Sequence, residues 1–326
     1  MNGPGSSSVR SFPTDVQGEI DSISRRDIGL FDTYKNTIEG DFLMRMTRKI
    51  VLLSILISTL FFAGTSFAGP VFDRVKETGV VNIGLQFNSI PAAFYNAKNQ
   101  WVGFDVDVAA EVVKHLTPYV GKELKLKKIK VNNKTRISFL TSGRIDISTS
   151  NMTHKRERDK SIDFSITYFF DGQKIMVKKG KYASHKDLVG KRACAMQGTT
   201  SEKNLANLYK SLGDTETDKN IVSFQTAADC FLALSQGKVE AWSTDSTILL
   251  GYAAKMPGKF ELIGDFISNE PYGMGVPQDD SAWRDAINFA LQDMWNDGTY
   301  HAVYNKWYGP ETDYYFPLTE QIEMWP

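Results

Sequence analysis

The sequence predicts an α/β fold in two lobes. Short β-branched runs alternate with segments of helical spacing, and the alternation restarts after Phe170. No internal repeat or low-complexity stretch interrupts it, and residues 69–326 are enough chain for two lobes. Val80–Leu85 reads as a strand, followed by a loop at Pro91 and a second extended run at Trp101–Phe104. From Asp105 to Leu116, Val106, Ala109, Val112 and Val113 recur at helical spacing. Leu124–Val131 is lysine-rich but largely alternates charged with apolar residues, the pattern of a strand with one wet face. A short helix at Thr135–Leu140 and a strand at Ile145–Ser148 complete the first set. The second set has strands at Lys174–Lys178, Arg192–Met196, Ile221–Phe224 and Ala241–Thr244, with helices at Thr200–Leu212 and Ala227–Gln236. Two terminal helices, Ser281–Asn296 and Tyr300–Trp307, stop at Gly298 and Gly309. Each set is expected to form its own sheet.

The amino-terminal part has a different character. Arg45, Arg48 and Lys49 precede the apolar run Ile50–Phe62, and Ser66-Phe67-Ala68 puts small residues at −3 and −1 before Gly69. This is the pattern of a secretory signal peptide over 44–68, cleaved after Ala68. Ile50 to Ala68 is nearly long enough to span a bilayer, so an uncleaved anchor is the alternative reading. No cysteine follows the site to carry a lipid. Residues 1–43 are polar and lack hydrophobic periodicity, as in a disordered leader or a start placed too early. The chain carries 38 basic and 38 acidic residues, and the part after Ala68 stays balanced, so nothing points to nucleic acid. Cys194 and Cys230 are the only cysteines; in an exported chain they imply one intramolecular disulfide.

The chemistry concentrates in Asn151–Ser165, which follows the small-residue strand. Thr153 and Arg158 place a hydroxyl and a guanidinium in one irregular segment. A planar guanidinium grips a carboxylate through two parallel bonds, which suits a ligand with a free α-carboxylate. Taken alone, Lys155–Lys160 also reads as a solvated charge run. Gln197-Gly-Thr-Thr-Ser leads from a strand into a helix, so backbone N–H groups at Thr199 and Thr200 can hold an anion, cap the helix, or both. Asp245, after a strand of small residues, is either a turn aspartate or the acceptor of an α-ammonium, together with Thr153. Asp105 and Asp107 sit at a helix start, where capping is the expected role. The four histidines and two cysteines show no metal-ligand spacing, and there is no Gly-x-Ser-x-Gly or phosphate loop. No catalytic group and no cofactor are expected.

Six motifs in order carry a family resemblance: Gly103-Phe-Asp-Val-Asp107; Thr153, Arg158 and Asp163-Phe-Ser165; Gln197–Glu202; Gly237–Trp242 with Asp245; Pro271-Tyr-Gly-Met-Gly275; and Asp297-Gly-Thr-Tyr with Lys306-Trp-Tyr-Gly309. Over about Phe72–Gly309 the chain resembles the bacterial extracellular solute-binding proteins of family 3, which serve ABC importers of polar amino acids. The resemblance implies a two-lobed type II periplasmic binding protein fold. It implies lobe 1 at 71–168 plus 275–326, lobe 2 at 169–274, and two strand connections. It further implies a periplasmic, monomeric chain that hands an amino acid to membrane permease subunits.

Val131–Ile137 and the Thr153–Arg158 spacing look nearest the glutamate/aspartate branch. That branch has an arginine matching Arg136 and a small polar group matching Asn133, but also an arginine matching Gln86 and a histidine matching Ala228, which this chain lacks. The basic-ligand branch carries a stacking aromatic where Ser89 stands. The implied ligand set is Arg158, Thr153, Asn151, Arg136, Asn133, Gln86, Thr199, Thr200 and Asp245, for glutamate, aspartate or an amide relative. A dehydratase-like enzyme on the same fold, or a ligand carrier for a sensory receptor, are the other functions this pattern admits.

Overall fold

A computed structural model describes residues 69–325; the leader and signal-peptide expectations fall outside the described residues. In chain order the first elements are α1 (Pro70–Thr78), β1 (Val80–Leu85), β2 (Asn88–Ser89), β3 (Ala93–Tyr95), β4 (Trp101–Val102), α2 (Phe104–His115), α3 (Thr117–Val120), β5 (Lys125–Lys130), α4 (Thr135–Thr141), β6 (Ile147–Thr149) and β7 (Asp163–Lys178). There follow β8 (Ala193–Met196), α5 (Thr200–Ser211), α6 (Thr217–Asn220), β9 (Ile221–Phe224), α7 (Ala227–Ser235), β10 (Ala241–Asp245), α8 (Ser246–Ala253), β11 (Phe260–Val276), α9 (Ser281–Asn296) and α10 (Thr299–Tyr308).

Eight strands form one sheet, β5-β1-β6-β11-β7-β10-β8-β9, where two sheets were expected; β2-β3-β4 make a separate ribbon. The joining strands are the reason. β7 and β11 have 16 and 17 residues, about three times a usual strand, and pair antiparallel from Lys178↔Phe260 to Asp163↔Val276. Their register slips between Ile263 and Ser268 and again at Tyr272–Gly275. The flanking sets, β5-β1-β6 and β10-β8-β9, are each parallel.

Each half of the sheet has its own core. Around β1, Phe104, Trp283, Tyr300 and Tyr308 cluster on one face, while Val131, Leu140 and Ile145 cluster separately. Around β8, Trp242, Leu249 and Tyr252 form one cluster and Leu188, Leu205 and Tyr209 another. β5 lies at the sheet edge, where its exposed lysines protect the unpaired backbone from adding another strand.

Helix α2 illustrates how local sequence sets the packing. At Gly103, whose φ is +139°, a Cβ would lie 2.2 Å from the Ala92 carbonyl oxygen, so only glycine fits. Phe104 then enters an aromatic cluster with Tyr168, Phe169, Tyr300, Tyr304 and Tyr308. The two aspartates do not cap. Asp105 is buried and accepts from the Tyr168 hydroxyl at 2.9 Å, and burial raises its carboxyl to about 7. Asp107 accepts from Lys306 Nζ at 2.6 Å and Trp307 Nε1 at 2.7 Å, fastening α10 to α2.

The expected Cys194–Cys230 disulfide is not formed; both cysteines are free and buried. They come together because β8 and α7 pack face to face in one apolar cluster, which brings Cys230 beside Cys194. Burial, reinforced by that contact, pushes the Cys194 thiol well up, so neither a thiolate nor an oxidant reaches the pair readily. A maleimide probe is expected to label no cysteine in the native protein and both after unfolding without reductant. A denatured chain that takes up no label would reinstate the bridge.

Candidate ligand-binding site

All nine residues expected at the site line one cleft between the two halves of the sheet, together with Met196, Ser201, Thr244 and Ile248. The walls stand close together, leaving a cavity of only about 10 Å³.

The lower wall is the segment after β6. Asn151 has φ +48°, an uncommon conformation for a residue with a side chain. Its carbonyl accepts from Arg136 Nη1 at 3.2 Å. Arg136 Nη1 also donates to the Ser150 carbonyl at 2.6 Å, so this guanidinium fixes the backbone as well as lining the cleft. Thr153 forms an isolated antiparallel bridge to Tyr272 of β11, flanked by His154 N donating to the Pro271 carbonyl at 2.8 Å. Beyond it, the charge run resolves residue by residue. Arg156, Glu157, Asp159 and Lys160 are exposed, and Glu157 pairs with Lys155 and Lys203. Arg158 alone turns inward, only 6% exposed, with Nη1 donating to the Thr153 carbonyl at 2.6 Å.

The opposite wall is the start of α5. Gly198 has φ +77°, and Thr199 caps the helix by accepting from Glu202 N at 3.4 Å, while Glu202 reaches back to Gly198 N at 3.1 Å. The capping and ligand readings of this stretch therefore coexist: the cap leaves other N–H groups of the first turn without partners within the helix, and Thr199, Thr200 and Ser201 line the cleft. Asp245 ends β10 directly before α8 but does not cap it. Asp171 does, accepting from Ser246 N at 3.2 Å and Thr247 N at 3.1 Å. This leaves Asp245 to the cleft: Oδ2 accepts from the Tyr272 hydroxyl at 2.5 Å, and Oδ1 is buried with no partner among the described residues.

Besides Met196, Ser201, Thr244 and Ile248, a buried carboxylate behind the cleft escaped the sequence reading. Glu270 on β11 is 1% exposed and accepts from Thr153 Oγ1 at 2.5 Å, Thr200 Oγ1 at 2.8 Å, Ser268 Oγ at 2.5 Å and Asn204 Nδ2 at 3.4 Å. Each hydroxyl has a single proton. Thr153 and Thr200 give theirs to Glu270, so both can only accept from a ligand, and Thr200 already accepts from Gln173 Nε2 at 2.8 Å. The signal was adjacent to a noted motif: Glu270 immediately precedes Pro271-Tyr-Gly, as a carboxylate within a long strand.

The electrostatics follow from burial. Asp245 is raised to about 8 by desolvation first, then by Glu270 and Asp171. Burial draws Arg158 down, opposed by Glu270 and Asp245. Arg136 falls to about 9 through burial and the neighbouring Arg158, which leaves it cationic at neutral pH. At the far end, Gln86 Nε2 donates to Asn133 Oδ1 at 2.7 Å, and Asn133 Nδ2 points across the cleft to Met196 Sδ at 3.9 Å. The cleft therefore offers a guanidinium and N–H groups at one place, a carboxyl and two hydroxyl acceptors at another, and an amide pair beside a second guanidinium at a third.

Residues 81–310 match the family model for bacterial extracellular solute-binding proteins, family 3. The chain belongs to this family. Among its relatives, the ABC transporter glutamine-binding protein GlnH of Bacillus subtilis is 35% identical over 207 residues, covering 63% of this chain and 72% of that protein. The L-glutamate/L-aspartate-binding protein of Pseudomonas aeruginosa is 29% identical over 290 residues, covering 82% of this chain and 93% of that protein. Among solved structures, an ancestral arginine-binding protein bound to arginine superposes with a TM-score of 0.65 at 34% identity, covering 71% of this chain and 99% of that one. This family 3 chain thus has the two-lobed type II fold, with β7 and β11 as its two connecting strands.

Proposed function

We propose that this family 3 protein is the substrate-binding subunit of an ABC importer. It captures an amino acid with an acidic or amide side chain, namely glutamate, aspartate or glutamine, between its lobes. The observation carrying this is the pairing across one desolvated cleft of Arg158 with an unpartnered oxygen of Asp245. A zwitterion loses hydration on entering such a place and needs a partner for each charge. Arg158 and the first turn of α5 take the α-carboxylate, while Asp245, Thr153 and Thr200 accept from the α-ammonium. Gln86, Asn133 and Arg136 then meet the side chain. The Gln86–Asn133 pair leaves an amide donor and an amide acceptor, which complements glutamine; Arg136 adds affinity for a carboxylate.

The names of the relatives support the same ligands. The ABC transporter relative also supports delivery to membrane permease subunits. Export to the periplasm through the 44–68 segment and a monomeric mature chain complete the proposal. Lobe 1 is residues 71–168 with 275–326 and lobe 2 residues 169–274, because the core clusters divide near these limits. With so little room between the walls, the ligand enters only when the lobes part about β7 and β11.

A thermal-shift screen over the twenty amino acids tests the reading. At a hundredfold excess over Kd, a ligand adds about 2.7 kcal/mol, or roughly 5–10 °C for a chain of this size. Glutamine, glutamate or aspartate should give the largest shift, and X-ray scattering should show compaction at saturation. No shift with any of the twenty, or an unchanged radius at saturation, overturns the proposal. One observation favours an enzymatic second reading: a carboxyl held to about 8 beside a carboxylate site is a candidate general acid. Under the binding reading, the captured amino acid is recovered chemically unchanged.

A further inference from the structure

We propose that Gly251 is a closure residue. By lacking a side chain it lets α8 of lobe 2 seat against the Ile90 carbonyl of lobe 1, and this contact sets how far the cleft shuts. A Cβ at position 251 would lie 2.1 Å from Ile90 O, 2.5 Å from its carbonyl carbon and 3.0 Å from its Cγ2. The first two obstacles are backbone, which cannot swing aside as a side chain does. The next residue completes the contact: the Tyr252 hydroxyl donates to the Asn88 carbonyl at 2.7 Å. The Tyr252 ring packs against Trp242 and Phe231 inside lobe 2, so the hydroxyl is delivered to lobe 1 from a fixed position.

The contact is coupled to the site through rigid elements. Asp245 immediately precedes α8, and Ile248, one turn before Gly251, lines the cleft. On the lobe 1 side, Gln86 lines the same cleft two residues before Asn88, its carbonyl held by Trp101 Nε1 at 2.7 Å. A helix of eight residues is about 12 Å long. Seating its far end against Ile90 therefore fixes the separation between Asp245 and the lobe 1 groups at its near end. Glycine is the weaker helix former here, and alanine would suit α8 better if lobe 1 were absent.

The inference rests on the binding function only in its affinity readout. Gly251→Ala should leave the unfolding temperature of the free protein unchanged or raise it. It should weaken the amino acid giving the largest wild-type thermal shift by roughly ten- to hundredfold, the usual range for overpacking a tight contact. Tyr252→Phe should give a smaller loss in the same direction. A second arm needs no ligand. Glu157 and Lys203 meet across the cleft with Oε1 and Nζ 3.0 Å apart. In a Glu157→Cys/Lys203→Cys background, capture by a bifunctional maleimide reports the closed state, and adding Gly251→Ala should slow it. If the wild type binds no amino acid, the proposed function fails and the cross-linking rate still decides on Gly251. Unchanged affinity, unchanged cross-linking, or a loss of free-protein stability with neither readout moved overturns the inference.

Discussion

Arg158→Ala should abolish binding of every amino acid the wild type accepts. Truncating one partner of a buried, hydrogen-bonded charge pair costs about 2–5 kcal/mol, or roughly 30- to 5000-fold in Kd. The loss falls on the α-carboxylate, which all the candidate ligands share, so their order of preference should survive in whatever binding remains. Arg136→Ala should behave differently. An ionised ligand side chain loses a counter-charge while an amide loses one hydrogen bond, so glutamate should weaken more than glutamine. Because Arg136 also holds the Ser150 and Asn151 carbonyls, this variant should lose stability too. The ratio of the two affinities, measured by calorimetry, isolates the selectivity effect. Equal losses for glutamate and glutamine would confine Arg136 to holding the backbone.

Ligand capture near pH 7 should release close to one proton, and the release should vanish as the pH rises past about 9. In the free protein, burial with Glu270 and Asp171 nearby lifts the Asp245 carboxyl to about 8, so it is mostly protonated at neutrality. An α-ammonium against Oδ1 favours the ionised form and drives the proton off. Calorimetry in two buffers of different ionisation heat reads the proton directly; identical heats at pH 7 would mean Asp245 is already ionised before binding. The same shift has a stability consequence with a definite sign. Between pH 4 and 8 the folded state binds this proton and the unfolded state does not, so the Asp245 contribution to stability falls as pH rises through that window. Asp245→Asn should remove both the proton release and that fall.

The sequence was most legible where chemistry and periodicity coincide. Ile221–Phe224 and Ser281–Asn296 form as their patterns indicate, and all nine expected ligand residues share one cleft. What stayed hidden depends on groups distant in the chain. Lys174–Lys178 reads as a short strand, yet it is the end of a 16-residue strand, because pairing with β11 continues through residues with no period of two. Asp105 has the position of a capping residue, but it is buried and the Tyr168 hydroxyl claims it. Glu270 resembles any strand carboxylate until Thr153 and Thr200 are brought to it. The cysteines are neighbours as expected, but proximity within an apolar cluster does not itself make a bridge.

The makeup of the first core has a consequence for how the chain reaches its native state. That core joins residues of Val71–Phe169 to residues of Tyr272–Ile322, with Trp283 fully buried and donating from Nε1 to the Asp146 carbonyl at 3.0 Å. Lobe 2 draws its two cores from one continuous stretch and is complete once β11 has been made. Lobe 1 is not: its earliest strands wait, with Val81, Ile83 and Leu85 uncovered, until α9 and α10 arrive from the other end of the chain. A growing polypeptide therefore carries an unfinished amino-terminal half through nearly all of its synthesis. Folding then ends with the carboxy-terminal helices closing the half that was made first.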